Sequence, residues 1–368
     1  MILISFRILL KHYMPNQKIK VGILYGGKSA EHEVSLQSAI NILEALNRDK
    51  YEPVLICIDK NGQWRLNRGA QLSSDNGIPI ALPPQSQGRI FSLSDGSQIL
   101  TLDAVFPVLH GPFGEDGTVQ GLLKLADVPF VGAGVLGSAV GMDKDVMKRL
   151  LRDAGLPVGK FMTLKSHEPI PDYQTIVDVL GSPFFIKPAN MGSSVGVSKI
   201  HDKDAYEHGL SEAFDFDTKI ILEENIPGRE IECAVLGNEQ PLVSIPGEVV
   251  PTHDFYSYEA KYLDENGAVL KIPADIPDQV AQRIQKLAIK TFETLSCEGL
   301  GRVDFFLKEN NEIIVNEINT IPGFTKISMY PKLWEAGGIP YTELIDKLIQ
   351  LAMDRFQKER KLKTDYTQ

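Results

Sequence analysis

An α/β fold is predicted: an amino-terminal domain built on an open parallel sheet, followed by two further units of mixed α+β character. Three observations predict it. Apolar strand-like runs alternate with helically spaced apolar residues over residues 19–132, the pattern of a parallel sheet with crossover helices. Beyond that, strands come in pairs joined by turns, with longer helices between them. A chain of 368 residues also has room for two or three domains with substantial cores.

Taken in order, "KVGILYGG" reads as a buried strand closed by glycines, and "EVSLQSAINILEALN" as the helix after it. "YEPVLICIDK" and "DAVFPVLHG" supply two more strands. Residues 61–100 between them are rich in Gly, Ser, Asn and Pro and are expected to form a loop-rich insertion. A second unit starts near "GMDKDVMKRLLRDAGLPV", a helix with Asp143 as its N-cap. It continues through the strand "PFFIKPA", a glycine–serine loop and the strand "VGVSKI". The third unit holds "KIILEENIPG", "REIECAVLG" and "PLVSIPGEVV". A helix over 278–296 follows, with Val280, Ile284, Leu287, Thr291 and Leu295 on its apolar stripe, then a hairpin and a closing helix from about Tyr341. The expected division is an extension over 1–18, domains over 19–132, 133–223 and 224–355, and a polar tail over 356–368.

Composition narrows the function classes. Apolar content of 43% and charged content of 23% are ordinary for a soluble globular protein, and a net charge of −10 argues against a nucleic-acid partner. Cys57, Cys233 and Cys297 are scattered within apolar runs, which reads as buried free thiols in a reducing cytoplasm rather than a disulfide framework. The apolar start is broken by Arg7, Lys11 and His12 and is too short to span a bilayer. Residues 1–14 are expected to be dispensable, with Met14 an alternative start.

"GILYGGKS" satisfies the phosphate-loop pattern GxxxxGK[ST], but Gly22 falls inside the strand and Ile23, Leu24 and Tyr25 occupy the supposed loop, so the match is rejected and Lys28 is given no role. The better reading is a strand, a glycine turn and a helix start near Glu31, at the sheet edge where open α/β folds bind ligands. There Glu31 is suited to grip an amine. "HGPFGEDGT" adds His110, Glu115 and Asp116 at the same edge. In "KPANMGSSVGVSK", Lys187 ends a strand and can reach a phosphate, with the Gly192–Ser194 turn offering anion-binding donors. Lys144 supplies a second cation. "YSYEAKYLDENG", with Lys261 and Tyr262, reads as a polar-aromatic lid.

The strongest constellation is the hairpin "GRVDFFLKENNEIIVNEINTIPGFT". If Asn310-Asn311 is a two-residue turn, paired residues have numbers summing to 621, so Asp304 faces Glu317 and Arg302 faces Asn319. Two carboxylates held about 5 Å apart at Cβ repel unless a cation lies between them. Asp304, Glu317 and Asn319 are hard oxygen ligands suited to Mg²⁺, while Arg302 can meet charge developing at a phosphoryl or acyl centre. Gly323 offers a backbone N–H beyond the strand.

Together and in order these stretches resemble the D-alanine–D-alanine ligases of the ATP-grasp superfamily. "GGKSAEHEVSL", "HGPFGEDGT", "MDK", "KPANMGSSVGVSK", "EAKY", "GRVDFF" and "NEINTIPGFT" carry the likeness, which covers residues 19 to about 350. It implies an amino-terminal α/β substrate domain followed by a two-part ATP-grasp module. The implied reaction is a two-step ligation: ATP phosphorylates one D-alanine, and the amine of a second attacks the acyl phosphate. By resemblance Glu31 holds the first ammonium, with Ser193 and Tyr262 as its partners. Lys144, Lys187, Ser194 and Lys261 face phosphates. Glu223, Glu224 and Ile226 lie near adenine, and Glu230 at the ribose. Asp304, Glu317 and Asn319 bind Mg²⁺ or Mn²⁺, expected as two ions. Arg302 and the Gly323 amide serve as oxyanion donors. Ser328 and Met329 hold the second carboxylate, and His110 lies near the substrates. The expected setting is the cytoplasm, within peptidoglycan precursor synthesis, with D-alanine and ATP as partners, no nucleic acid, no membrane, and a homodimer left open. Two alternatives stand beside this reading: another acceptor such as D-lactate, for which Tyr262 is the discriminating residue, and a nucleotide-binding regulator without turnover.

Overall fold

Strand β1 (Ile19–Gly26) lies next to one edge of a seven-stranded sheet in this computed structural model, which describes residues 18–67, 72, 77–251, 268–363 and 366. With β2 (Tyr51–Ile58), β3 (Trp64–Leu66), β4 (Ile78–Ala81), β5 (Arg89–Ser92), β6 (Gln98–Thr101) and β7 (Ala104–Val108), the sheet order is β6-β5-β4-β3-β2-β1-β7. β1 pairs in parallel with both β2 and β7, as the alternation predicts. Its residues from Val21 onward are all buried, which is why the strand is continuously apolar and not alternating. Helix α1 (His32–Ala45) follows the glycine turn at Gly26 and Gly27, both left-handed at φ 89 and 104.

Residues 61–100 depart from expectation. Instead of a loop-rich insertion they hold β3, β4, β5 and the start of β6, which extend the sheet antiparallel from β2. Strands of three or four residues are too short to display a period, so only the Gly, Pro and Asn between them stand out in the sequence.

Helices α2 (Thr118–Leu125), α3 (Val135–Met142) and α4 (Lys144–Asp153) lead to a second sheet. Asp143 caps α4 as predicted, its side chain accepting from Val146 N at 3.0 Å. This sheet is antiparallel, ordered β10-β9-β11-β8, from β8 (Phe161–Lys165), β9 (Phe184–Pro188), β10 (Ser198–Ile200) and β11 (Lys219–Glu224). Phe184, Ile186, Ile220 and Leu222 pack with Ile176 of α5 (Tyr173–Leu180) and with Leu210 and Ala213 of α6 (Lys203–Phe216).

The third sheet, also antiparallel, runs β15-β14-β12-β16-β17, with β13 (Leu242–Val243) beside β12. Its strands are β12 (Arg229–Gly237), β14 (Gly247–Pro251), β15 (Ala268–Lys271), β16 (Gly299–Leu307) and β17 (Ile313–Asn319). Helix α7 (Asp278–Thr294) covers one face through Val280, Ile284, Ala288 and Phe292. It stops just short of the expected end at residue 296, and Leu295 beyond it remains fully buried. After α8 (Met329–Ala336), the closing helix α9 (Tyr341–Glu359) buries Leu344, Ile345, Leu348 and Ile349 in a cluster that contains Val21, Ile23 and Phe106 of the first sheet and Leu236 and Leu300 of the third. Each such side chain stabilises by about 1.5–3 kcal/mol. Arg355 of α9 adds a buried guanidinium that donates to the carbonyls of Gly132 (2.6 Å) and Phe130 (2.9 Å), lies 4.6 Å from the Phe130 ring centroid and pairs with Glu298 at 3.3 Å.

Cys57, Cys233 and Cys297 are free and buried, and burial pushes the Cys233 and Cys297 thiols up to about 12. Among the described residues no helix is long and apolar enough to cross a membrane.

Candidate active site

The three sheets leave a cleft of about 460 Å³ between them. Every residue to which the resemblance gives a role lines it, apart from Lys261 and Tyr262, which lie outside the described residues.

At the hairpin, Arg302 faces Asn319 and Asp304 faces Glu317, the pairing the arithmetic predicts. The route to it differs. Lys308 pairs with Glu312 around the three-residue loop 309–311, closed by Asn311 in the left-handed region at φ 60, so near the tip paired numbers sum to 620. A bulge after Asp304 inserts Asn316 opposite no partner and restores the sum of 621 at the site. The opposite face of β16 buries Val303, Phe305 and Leu307, so the polar face is turned to the cleft.

On that face the carboxylates form a row across three strands, because Glu232 of β12 also faces Asp304. Arg302 is held within it. Its Nε and one terminal nitrogen donate to the two Asp304 oxygens at 2.8 Å each, and Nε lies 2.8 Å from Glu232 Oε2. Asn319 Nδ2 donates to Asp304 Oδ2 at 3.0 Å, and Lys144 Nζ stands 3.9 Å from Glu317 Oε2. Among the described residues no cluster of three or more His, Cys, Asp or Glu forms a self-sufficient metal cage. Two carboxylates and an amide nevertheless suit Mg²⁺, which binds through one or two carboxylates and completes its shell with substrate phosphates and water.

Across the cleft, Glu223 sits between two lysines. Lys148 Nζ is 2.8 Å from Oε1 and Lys187 Nζ is 2.5 Å from Oε2, with all three side chains largely buried. Burial alone would push the Glu223 carboxyl up, but the two ammonium groups outweigh it and hold it far below the ordinary range. Burial likewise disfavours the charged Lys187, and Glu223 more than offsets this, raising its pKa. Lys144 donates to the Met191 carbonyl at 2.6 Å, which ties α4 to the glycine–serine turn. In that turn Ser193 and Ser194 are both left-handed, at φ 52 and 60, a strained conformation for non-glycine residues.

Ser193 Oγ donates to Glu31 Oε1, joining the second sheet's turn to the first sheet's edge. Glu31 is packed so closely that a Cβ at Gly111 would lie 2.7 Å, and one at Gly192 3.1 Å, from its Oε2. His110 is buried; its Nδ1 lies 3.0 Å from the Ile321 carbonyl and must carry the proton, so Nε2, 3.3 Å from Ser38 Oγ, is the acceptor. Burial lowers its pKa, which fits this neutral tautomer. Glu115 accepts from Gly111 N at 2.8 Å and Ile321 N at 3.2 Å, and burial together with the nearby Glu31 charge raises its carboxyl to about 8. Asp116 instead shapes the loop, accepting from Phe113 N and Thr118 N.

Near the cleft's far end, a Cβ at Gly323 would come 2.8 Å from Ser328 Oγ, which itself accepts from Thr325 N at 2.9 Å. Met329 beside it is buried and begins α8. Glu224 accepts from Lys160 N at 2.8 Å, and Ile226 lies where a Cβ at Gly159 would meet its Cδ1 at 2.7 Å. Glu230 lines the cleft from β12, opposite Phe306. Gly22 is confirmed inside β1, opposite Val54, so the rejected phosphate loop has no structural basis, and Lys28 is exposed. Lys148 and Glu232 are cleft residues that the sequence motifs do not single out; the spacing of Lys148 four residues after Lys144 and the alternation of Glu230 and Glu232 with Ile231 and Cys233 are the signals that point to them.

Comparison with known proteins bears on this geometry. The model of the D-ala D-ala ligase N-terminus matches residues 20–133, and that of the D-ala D-ala ligase C-terminus matches residues 150–350. A D-alanine–D-alanine ligase of Oceanobacillus iheyensis is 52% identical over 362 residues, covering 94% of this chain and 98% of that one. D-alanine–D-alanine ligase A of Salmonella typhimurium is 49% identical over 360 residues, covering 94% and 99%. Among solved structures, the D-alanine–D-alanine ligase from Coxiella burnetii has a TM-score of 0.85 at 40% identity, covering 94% and 96%. The VanG D-Ala:D-Ser ligase from Enterococcus faecalis has a TM-score of 0.83 at 37% identity, covering 91% and 100%. With both halves of the family matched along nearly its full length, the chain belongs to the D-alanine–D-alanine ligase family of ATP-dependent ligases.

Proposed function

We propose that this protein joins two molecules of D-alanine at the expense of ATP, through an acyl phosphate, and so supplies a peptidoglycan precursor in the cytoplasm. The observation that most supports this is the meeting of the Asp304–Glu317–Asn319 face, the Lys144 and Lys187 ammonium groups and the Glu31–Ser193 contact in one cleft. In the first step a D-alanine carboxylate oxygen attacks the γ-phosphorus and the bond to the β,γ-bridging oxygen breaks, releasing ADP. In the second, the amine of another D-alanine attacks the acyl carbon, loses a proton, and inorganic phosphate leaves.

Positioning and charge complementarity carry both steps. Glu31, fixed by Ser193 and crowded by Gly111 and Gly192, holds the first ammonium. Lys144 and Lys187 meet phosphate oxygens, with Ser194 beside them. Glu223, Glu224, Ile226 and Glu230 form the nucleoside end. Asp304, Glu317 and Asn319 would hold Mg²⁺ or Mn²⁺, as two ions; bound there, the metal neutralises charge on the transferring phosphoryl group. Arg302 and the Gly323 N–H stabilise the oxyanion, Ser328 and Met329 seat the second carboxylate, and neutral His110 stands beside the substrates. Lys261 and Tyr262 are assigned to the closing segment over the site. The domain division at about residues 132 and 223 belongs to the same reading.

The D-Ala:D-Ser ligase among the similar structures keeps a second acceptor in view. A phosphate-release assay with D-alanine, L-alanine, D-serine and D-lactate side by side tests both. Release that depends on D-alanine and yields D-alanyl-D-alanine is expected. Preferential incorporation of D-serine or D-lactate at neutral pH would overturn the acceptor, and no D-alanine-dependent release would overturn the activity.

A further inference from the structure

Lys148 has no place in the reaction just described, yet it is among the most buried charged side chains of the molecule, with a side-chain exposure of 5%. A lysine is buried to that extent only when paired, because stripping its ammonium of water is costly. Its partner is Glu223, and the division is regular: Oε1 faces Lys148 at 2.8 Å and Oε2 faces Lys187 at 2.5 Å, one ammonium for each oxygen. The two lysines differ in reach. Lys148 leaves α4 one turn after Lys144 and lies deeper, whereas Lys187 stands next to last in β9 at the cleft and is 17% exposed.

If the cleft takes a nucleotide, the reading on which this inference rests, Lys187 is asked to serve two anions, the Glu223 carboxylate and a phosphate. Drawn toward the phosphate with no second cation present, it would leave a buried, uncompensated carboxylate, among the more expensive arrangements a protein can hold. We propose that Lys148 is a positioning residue that keeps Glu223 neutralised and fixed, and thereby releases Lys187 to bind the nucleotide's phosphates. The structure shows the two cations on one carboxylate; the hand-over is the inference.

The test is a double-mutant cycle on the full-length protein, read by the affinity for ATP with Mg²⁺ in the absence of D-alanine and by KM for D-alanine in turnover. Lys148→Met should weaken ATP binding by about tenfold or more, because Lys187 stays bound to Glu223. Its KM for D-alanine should move by less than about twofold, which a general collapse of the cleft would not allow. Combining Lys148→Met with Glu223→Gln should restore ATP affinity to that of Glu223→Gln alone, since a neutral amide needs no cation. The comparison of the double variant with Glu223→Gln decides the matter even if Lys148→Met alone does not fold. Additive losses in the double variant, or unchanged ATP affinity in Lys148→Met, would overturn the proposal. Absence of ATP binding by the unsubstituted protein would sink the nucleotide reading, and this proposal with it.

Discussion

The hairpin β16–β17 and the extension β3–β6 are both antiparallel and both carry polar residues, but the hairpin's strands run nine and seven residues and the extension's only three or four. They place those residues differently. In the hairpin, Arg302, Asp304, Glu317 and Asn319 sit within the strands, on one face and opposite one another. In the extension Ser94, Asp95 and Ser97 occupy the turn from β5 to β6, where Asp95 accepts from Ser97 N and Oγ, and the polar residues within the strands, such as Arg65, Arg89 and Gln98, set no carboxylate opposite another. Asp95 thus satisfies a turn, and the hydrogen bonds from Ser97 lower its pKa. A carboxylate directly opposite another carboxylate satisfies nothing by itself and carries a repulsion that only a cation offsets. Carboxylates that face one another inside paired strands therefore mark function here, whereas Asp95 in its turn marks geometry.

Substitutions in both regions probe this contrast. Glu317→Ala removes one member of the facing pair and should abolish D-alanine-dependent phosphate release without unfolding the protein; full activity would contradict the metal assignment. Glu232→Gln keeps the shape but takes one charge from the Arg302 guanidinium, and kcat should fall about tenfold to a hundredfold, with melting temperature as the control. Glu115→Gln tests the loop that bridges the first and third sheets. A carboxyl raised in the fold from 4.5 to about 8 keeps a proton that the unfolded chain has already released, so the stability linked to it is complete below about pH 4.5 and is lost as pH rises toward about 8. Melting temperature should decline across that window in the unsubstituted protein and decline less in the variant. The smallest effects belong outside the cleft: Asp95→Ala and Lys28→Ala should leave turnover unchanged, and an inactive Lys28→Ala protein would revive the phosphate loop.

Much of the cleft is legible in the sequence because its elements announce themselves by period. The alternation along "GRVDFFL" assigns Asp304 and Arg302 to one face, and a local hairpin lets counting find their partners. The count reaches the right pairs through two offsetting departures, a longer loop at the tip and a bulge at Asn316, and neither leaves a sequence mark distinct from ordinary Asn and Glu. Glu232 escapes because β12 and β16 are joined through a long intervening segment, so no counting rule fixes which residue faces Asp304. Lys148 escapes because a lysine in "KDVMKRLLRD" looks like part of a solvated helix face until the second sheet is seen to close over it. The extension stays hidden since three-residue strands have no period to read.

Arg355 and the apolar face of α9 make the last helix of the chain the fastener between its first and third sheets. During synthesis the amino-terminal sheet can form while the rest is still being made. The groups that work together in the cleft are drawn from residues 31 to 329, and the element that clamps their supports emerges only after all of them. A ribosome-bound intermediate lacking this helix should thus carry a first sheet with one apolar face uncovered and no competent site, which delays any productive encounter with nucleotide until the helix has emerged.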